Sequence, residues 1–372
     1  MDEQPITTDA TRRSTAADAT RRVDRLFGLY PALALAALLP LGAITPLFPV
    51  EVGVAVFALG TLAIGMAHGA VDHLVPLRAA GVSLRRSVVV VSVVYAVLGG
   101  GVVAAFFLEP VVAFVGFIAL TWAHWGQGDV AALRVAGVDH LPTAAERVLA
   151  LFVRGGLPMG VPLLAHPGEY RLVAEWVVGL FVADAAVATA AVDPVFTATA
   201  RAVVGISMGV ATLAAVGIGG LRVRRGDAGR RGWLRDAGEI GLLWAWFLLA
   251  APVFAIGVYF AVWHALRHVG RLLLVDDRAA AALATGGTST ALRLFARDAA
   301  PLTVGGFLVV GAVAAIAPSG VAAPGDLLAA SLVAIAALTL PHVAVVAWLD
   351  LKQGVWRSDS DPREHATGFV RF

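Results

Sequence analysis

The chain has 372 residues, of which 59% are hydrophobic and only 15% charged, with a mean hydropathy of +0.82. Soluble domains carry about a quarter charged residues, so much of this surface must face lipid, and the net charge of +2 comes largely from arginines in connecting loops, the pattern of a membrane topology and not of a nucleic-acid-binding face. There is no cysteine, which excludes disulfides, zinc–thiolate sites, iron–sulfur clusters and cysteine nucleophiles and leaves imidazole and carboxylate as the only metal ligands.

Residues 1–25 are polar and no signal-peptide pattern follows them, so they are expected to form a disordered cytoplasmic tail. A bilayer-spanning helix needs roughly 20 apolar residues. Candidate spans lie near 26–48, 52–77, 87–108, 110–127, 146–165, 171–191, 197–220, 236–251, 253–275, 297–317 and 326–349. Arginine clusters fall at 12–25, 78–86, 134–147 and 222–235, with further positive residues after the span at 253–275 and after the last one. If all of these are cytoplasmic, only two of the three middle segments can cross. The weakest is 146–165, with Arg154, Gly155, Gly156, Pro158, Gly160 and Pro162, which is expected to be re-entrant or interfacial; 171–191 is the substitute. The expectation is an all-α, polytopic transmembrane bundle of about ten spans with both termini inside. A catalytic membrane domain would cover 26–350 and a cytoplasmic tail 351–372. The multi-pass chain is expected in the cell membrane.

Five of the nine histidines sit inside apolar spans: His68, His124, His264, His268 and His342. An ionisable side chain at membrane depth is costly, so it faces the bundle interior and has a partner or a task. On the topology above, the spans starting near 52, 110, 253 and 326 all run from outside to inside. All five histidines then lie about 17 to 24 Å along their spans, at about 1.5 Å per residue. Scattered packing residues have no reason to coincide in depth. His140, His166 and His365 fall in loops or tails and are expected to be ordinary solvated side chains.

The local motifs add chemistry. In Trp263-His264-Ala265-Leu266-Arg267-His268 the two histidines are four residues apart, on one helix face, where two imidazoles can share a metal ion. In His68-Gly69-Ala70-Val71-Asp72 the carboxylate shares the face of His68. It can accept the ring N–H of a ligating histidine there or on a neighbouring helix; a plain buried His–Asp hydrogen bond is the alternative. His73, rotated away, is the weaker ligand. His124 sits between Trp122 and Trp125 with glycines after it, and Asp129 follows. His342 follows Pro341, which disturbs its helix; it ranks below the other four as a ligand. Neutral imidazoles without thiolate suit a borderline divalent metal such as iron, copper or zinc, and iron where oxygen chemistry is involved.

With these motifs the sequence resembles the Brp/Blh family, bacteriorhodopsin-related membrane proteins that act as β-carotene 15,15′-dioxygenases. The resemblance rests on His68-Gly-Ala-Val-Asp72, on His124-Trp125-Gly with Asp129, on Trp263-His264-Ala-Leu-Arg267-His268 and on Pro341-His342, spread over nearly all of the membrane part. It implies oxidative cleavage of the central double bond of β-carotene by O₂ to two molecules of all-trans-retinal. It also implies Fe(II) held by His68, His124, His264 and His268 as catalytic ligands. Asp72, Asp129, Trp125, Phe260, Trp263, Arg267 and His342 are expected around the metal or the substrate. The carotenoid would reach a tunnel lined by Trp122, Trp125, Tyr259, Phe260 and Trp263 from the lipid bilayer, and retinal could pass to an opsin-type protein. No nucleic acid is expected as a partner. The alternatives are a histidine-rich di-iron oxidase, a haem-binding or ion-translocating protein, and a non-catalytic assembly factor for a retinal protein.

Overall fold

The computed structural model describes residues 5–357, and among them every regular element is helical. In chain order, α1 begins at Pro5 and continues to Leu47. It is followed by α2 (Val50–Gly65), α3 (Val75–Ala80), α4 (Leu84–Leu108), α5 (Pro110–Val135), α6 (Ala144–Ala165) and α7 (Pro167–Gly179). The second half holds α8 (Ala185–Phe196), α9 (Ala198–Arg225), α10 (Arg230–Leu249), α11 (Pro252–Val275), α12 (Asp277–Ala284), α13 (Thr288–Ile316) and α14 (Pro324–Gln353). Among the described residues seven helices are long and apolar enough to cross a membrane: the Ser14–Leu47 part of α1, and α4, α6, α9, α11, α13 and α14. Helix α2 is apolar but shorter, and α5 and α10 are long but more polar. Along the middle of α4, α9 and α13 leucine, isoleucine and valine are exposed, as a lipid-facing surface requires, and the exposed arginines (Arg85, Arg86, Arg224, Arg225, Arg293, Arg297) lie toward one end of each helix.

Several sequence expectations change. Residues 5–23, expected to be disordered, are helical as the first part of α1, with Ala19 and Val23 buried against the core formed with α11 and α12. The tail from Ser358, with His365, lies outside the described residues. The segment expected to be re-entrant, 146–165, is one continuous helix. Its glycines serve close packing: a Cβ on Gly155 would lie 1.8 Å from the Trp122 carbonyl oxygen, and one on Gly126 2.1 Å from that of Leu151. Helices α5 and α6 therefore meet backbone to backbone, and Arg154 is buried because carboxylates from two other helices close on it. The segment 171–191 is instead the broken one, divided between α7 and α8.

The span expected over 52–77 also ends early. Helix α2 stops in a π turn at Thr61–Gly65, residues 66–71 are turns, and a short 3-10 turn begins at Asp72. Gly65 allows this bend against α11, since a Cβ there would lie 2.5 Å from the Phe260 ring. Such wide turns recur beside functional sites; others fall at Tyr95–Gly99 in α4 and Tyr259–Ala265 in α11. Pro341 sits inside an unbroken α14, and the carbonyl it cannot bond, that of Ala337, is approached by Gly99 of α4, whose Cβ would lie 2.9 Å away.

Gly155→Ala is expected to force α5 and α6 apart at a cost of about 1–3 kcal/mol. Gly116→Ala on α5, where a Cβ meets nothing, should be neutral or stabilising by about 0.5–1 kcal/mol. Thermal unfolding of the two variants in detergent separates them.

Candidate metal centre and apolar cavity

The bend after α2 delivers His68, α5 delivers His124, α11 delivers His264 and His268, and α14 delivers His342. These five rings form one cluster. The His68 ring centroid lies 5.3 Å from His264, 5.6 Å from His268 and 5.1 Å from His342. The His124 ring lies 4.9 Å from His264 and 4.8 Å from His342, and His268 and His342 are 5.0 Å apart. Four of the rings are buried and His68 is partly so. Ligand atoms of His68, His124 and His342 all lie within 4.8 Å of one another, as do those of Asp72, His268 and His342. His342, ranked from the sequence below the other four intramembrane histidines, belongs to both groups.

Hydrogen bonding sets how these imidazoles face the centre. His342 bonds through Nδ1 to Asp72 Oδ2 at 2.7 Å, and Tyr95 donates its hydroxyl to the same oxygen at 2.7 Å. The carboxylate that follows His68 in the sequence thus serves the histidine of a neighbouring helix. With Nδ1 engaged, His342 Nε2 is the ring atom left to bind. His68 bonds through Nδ1 to the Gly65 carbonyl, inside the bend itself. No protein group bonds His342 Nε2, His264 Nε2, or either ring nitrogen of His124 and His268. Buried polar atoms without partners are rare. Several of them converge in one place, and a set of neutral imidazole nitrogens so placed fits a divalent metal ion.

Beneath the histidines lies a buried ionic network. Asp129, one turn beyond His124, accepts from Trp263 Nε1 at 3.0 Å, from Arg154 at 2.8 Å and from Arg267 at 3.2 Å. Arg154 also holds Asp236 and Glu239 of α10 at 2.7 and 2.9 Å, and Arg267 lies over the Trp263 ring at 3.8 Å. The tryptophan and arginine that flank the His264/His268 pair are thereby tied to the helix carrying His124. Buried ion pairs of this kind contribute little net stability, but removing one partner strands the others. The network also claims His140, which is buried and bonded to Asp236 at 2.8 Å, not solvated. His166 bonds the Leu248 carbonyl.

Above the histidines opens a cavity of about 380 Å³, walled almost wholly by hydrocarbon, with His68, His124 and His342 on its wall. Trp125 and Phe260 line it as expected. Trp122, Tyr259 and Trp263 do not: the Trp122 indole bonds the Phe152 carbonyl, and the other two are wholly buried behind the site. His73 lines the cavity but makes no ring contact with the cluster. Sequence reading missed Tyr95, Asp236 and Glu239 and counted Arg154 among the marks of a re-entrant or interfacial segment; an arginine inside an apolar span was itself the signal for a buried ion pair.

Asp72→Asn should weaken divalent-metal affinity by about 10–100-fold by loosening the His342 ring. Metal titration of the purified variant against the wild type measures it, and equal affinity would remove Asp72 from this role.

Residues 59–350 match the sequence profile of a family described as beta-carotene 15,15'-dioxygenase. A relative from Halobacterium salinarum, described as probable beta-carotene 15,15'-dioxygenase Blh, is 42% identical over 296 residues, covering 78% of this chain and 82% of the relative. A second from the same organism, described as probable beta-carotene 15,15'-dioxygenase Brp, is 32% identical over 321 residues, covering 83% and 86%. No solved structure matches this chain. With four-fifths of its length matched, histidine cluster included, the chain belongs to the beta-carotene 15,15'-dioxygenase family.

Proposed function

We propose that the protein cleaves the central double bond of β-carotene with dioxygen at the histidine cluster, giving two molecules of all-trans-retinal. The observation that carries this reading is the meeting of unpartnered imidazole nitrogens with a hydrocarbon-walled cavity inside a membrane protein. A polyene with no polar group dissolves in the bilayer and enters such a cavity without crossing water. Both atoms of one dioxygen end in the two aldehydes, so no external reductant is required.

Fe(II) is the metal this chemistry calls for; His68, His124, His264 and His268 would hold it, with His342 as a further imidazole ligand. Iron supplies the one-electron steps through which ground-state dioxygen reacts with a closed-shell polyene. The chain's own residues do the rest. Asp72 and Tyr95 hold the His342 ring in one tautomer. Asp129 and Arg267 clamp Trp263 and so the turn that carries His264 and His268. Trp125 and Phe260 pack against the His264 ring, at 5.4 and 6.2 Å between centroids, and exclude water from that side. Rings packed this closely leave no plane for a porphyrin, which argues against a haem.

The bundle sits in the cell membrane with ten spans and both termini inside. Taking α1, α2, α4, α5, α6, α9, α10, α11, α13 and α14 as crossing puts every arginine cluster on the cytoplasmic side. Helices α7 and α8, of 13 and 12 residues, then stay at the outer face. Retinal leaves into the same bilayer, where an opsin-type protein can take it up.

Expression in a host that accumulates β-carotene and makes no retinal should bleach the carotenoid and yield retinal in the extract. Unchanged carotenoid, with the protein inserted and iron supplied, would refute the reading. His264→Ala and His268→Ala should each lower turnover by at least 100-fold while the protein stays in the membrane, as measured by retinal formed per unit of inserted protein.

A further inference from the structure

The cavity is open at one end and shut at the other, and the two ends are built differently. Of the residues that line it, only Ser92 on α4 and Leu302 on α13 are exposed. Helix α13 faces the cavity with Leu302, Gly305, Gly306 and Val309, spaced as one helical stripe. The glycine pair keeps this stretch low: a Cβ on Gly305 would meet nothing within 4 Å, and one on Gly306 would meet the flexible end of Met66 and, at 3.8 Å, a Leu338 methyl. Both helices otherwise present apolar side chains outward, Val93 and Val97 on α4 and Val304 and Leu308 on α13. The gap between them therefore opens sideways, toward lipid.

The other end is closed by Phe57, Val253 and Leu328, which form one buried cluster, and Tyr170 also lines the cavity; all four are less than a tenth exposed. Helix α14 joins this end to the histidines. Leu328, Leu332, Ile335, Thr339 and His342 all line the cavity, so one face of one helix runs along its whole inner arm. The fourteen helical steps from Leu328 to His342 correspond to about 21 Å between their Cα positions at about 1.5 Å per residue. A ring-capped half of an extended carotenoid fits within that length once the Leu328 and His342 side chains have taken their share.

We propose that this arm is the ruler that selects the central bond. The carotenoid enters ring first between α4 and α13, slides along α14 until its leading ring meets the Leu328 cluster, and stops with its midpoint at the histidines. The trailing half remains in the gap and the surrounding lipid. A wall of hydrocarbon has no hydrogen bond with which to recognise one double bond among many, so the position of a steric stop is the means of choice left to it. The inference rests on the carotenoid-cleaving reading and adds the residues that set where the cut falls.

The test compares wild type, Leu328→Ala, Leu332→Phe and Gly305→Trp in a β-carotene-accumulating host, with products separated by chromatography. Leu328→Ala lengthens the arm and Leu332→Phe shortens it, so either should convert a tenth or more of the product into pairs of unequal carbonyl compounds. Gly305→Trp narrows the entrance and should lower the rate at least 10-fold while retinal remains the product. A folded arm variant that makes only retinal, or an unchanged rate for Gly305→Trp, overturns the proposal. Should the arm variants fail to insert, a shortened carotenal with a single ring decides the matter with wild type. It should release one retinal, cut at the same bond counted from that ring, and a different bond or no cleavage overturns the ruler. Wild-type protein that makes no retinal from β-carotene would reject the reaction itself and the ruler with it.

Discussion

A charged or polar side chain inside an apolar bundle has no water to bond, so it must be satisfied by another side chain, by backbone or by a ligand. The arrangement around the histidines follows from that constraint. Arg154 has no route to solvent and is enclosed by Asp129, Asp236 and Glu239 from two neighbouring helices. Asp129 in turn takes the indole N–H of Trp263 and one N–H of Arg267. Each pairing crosses between helices, so the polar groups fix the relative rotation of α5, α6, α10 and α11. Apolar surfaces sliding on one another could not fix it. The second network does the same for α14: Asp350 accepts from Arg271 of α11 and from Gln127 of α5, at 2.5 and 2.8 Å.

With their rotation set, the helices present their histidines to a common point, and here satisfaction is deliberately incomplete. Asp72 and the Gly65 carbonyl engage one nitrogen each on His342 and His68, while the nitrogens facing the centre have no protein partner. The polar networks and the cavity sit on opposite sides of this centre. One side is dense with ion pairs and the other is hydrocarbon. A lipid-soluble substrate and the histidine cluster can therefore share one boundary without water between them.

Much of this could be read from residue types. The all-helical membrane class follows from hydropathy, and the clustering of His68, His124, His264, His268 and His342 follows from their equal depth. The role of Asp72 was half legible: a carboxylate near a histidine was evident, but its partner proved to be His342, 270 positions away, because the bend after Gly65 turns Asp72 off the face of His68. Arg154 misled. Among glycines and prolines it reads as part of a re-entrant or interfacial segment, whereas the glycines are needed for backbone contact with α5 and the arginine for the ion pairs. Tyr95 left no mark, since nothing local separates it from any tyrosine in an apolar span.

Composition and periodicity specify what each segment can be, because the cost of exposing backbone and charge to lipid is paid residue by residue and is visible in a linear string. They carry depth along a helix, and so they brought five histidines to one level. Rotation about each helix axis, the bend at Gly65, the pairing of Asp72 with His342 and the closed end of the cavity came only with packing. Those depend on which side chains from distant segments meet, and a contact between residues hundreds of positions apart leaves no period in the chain.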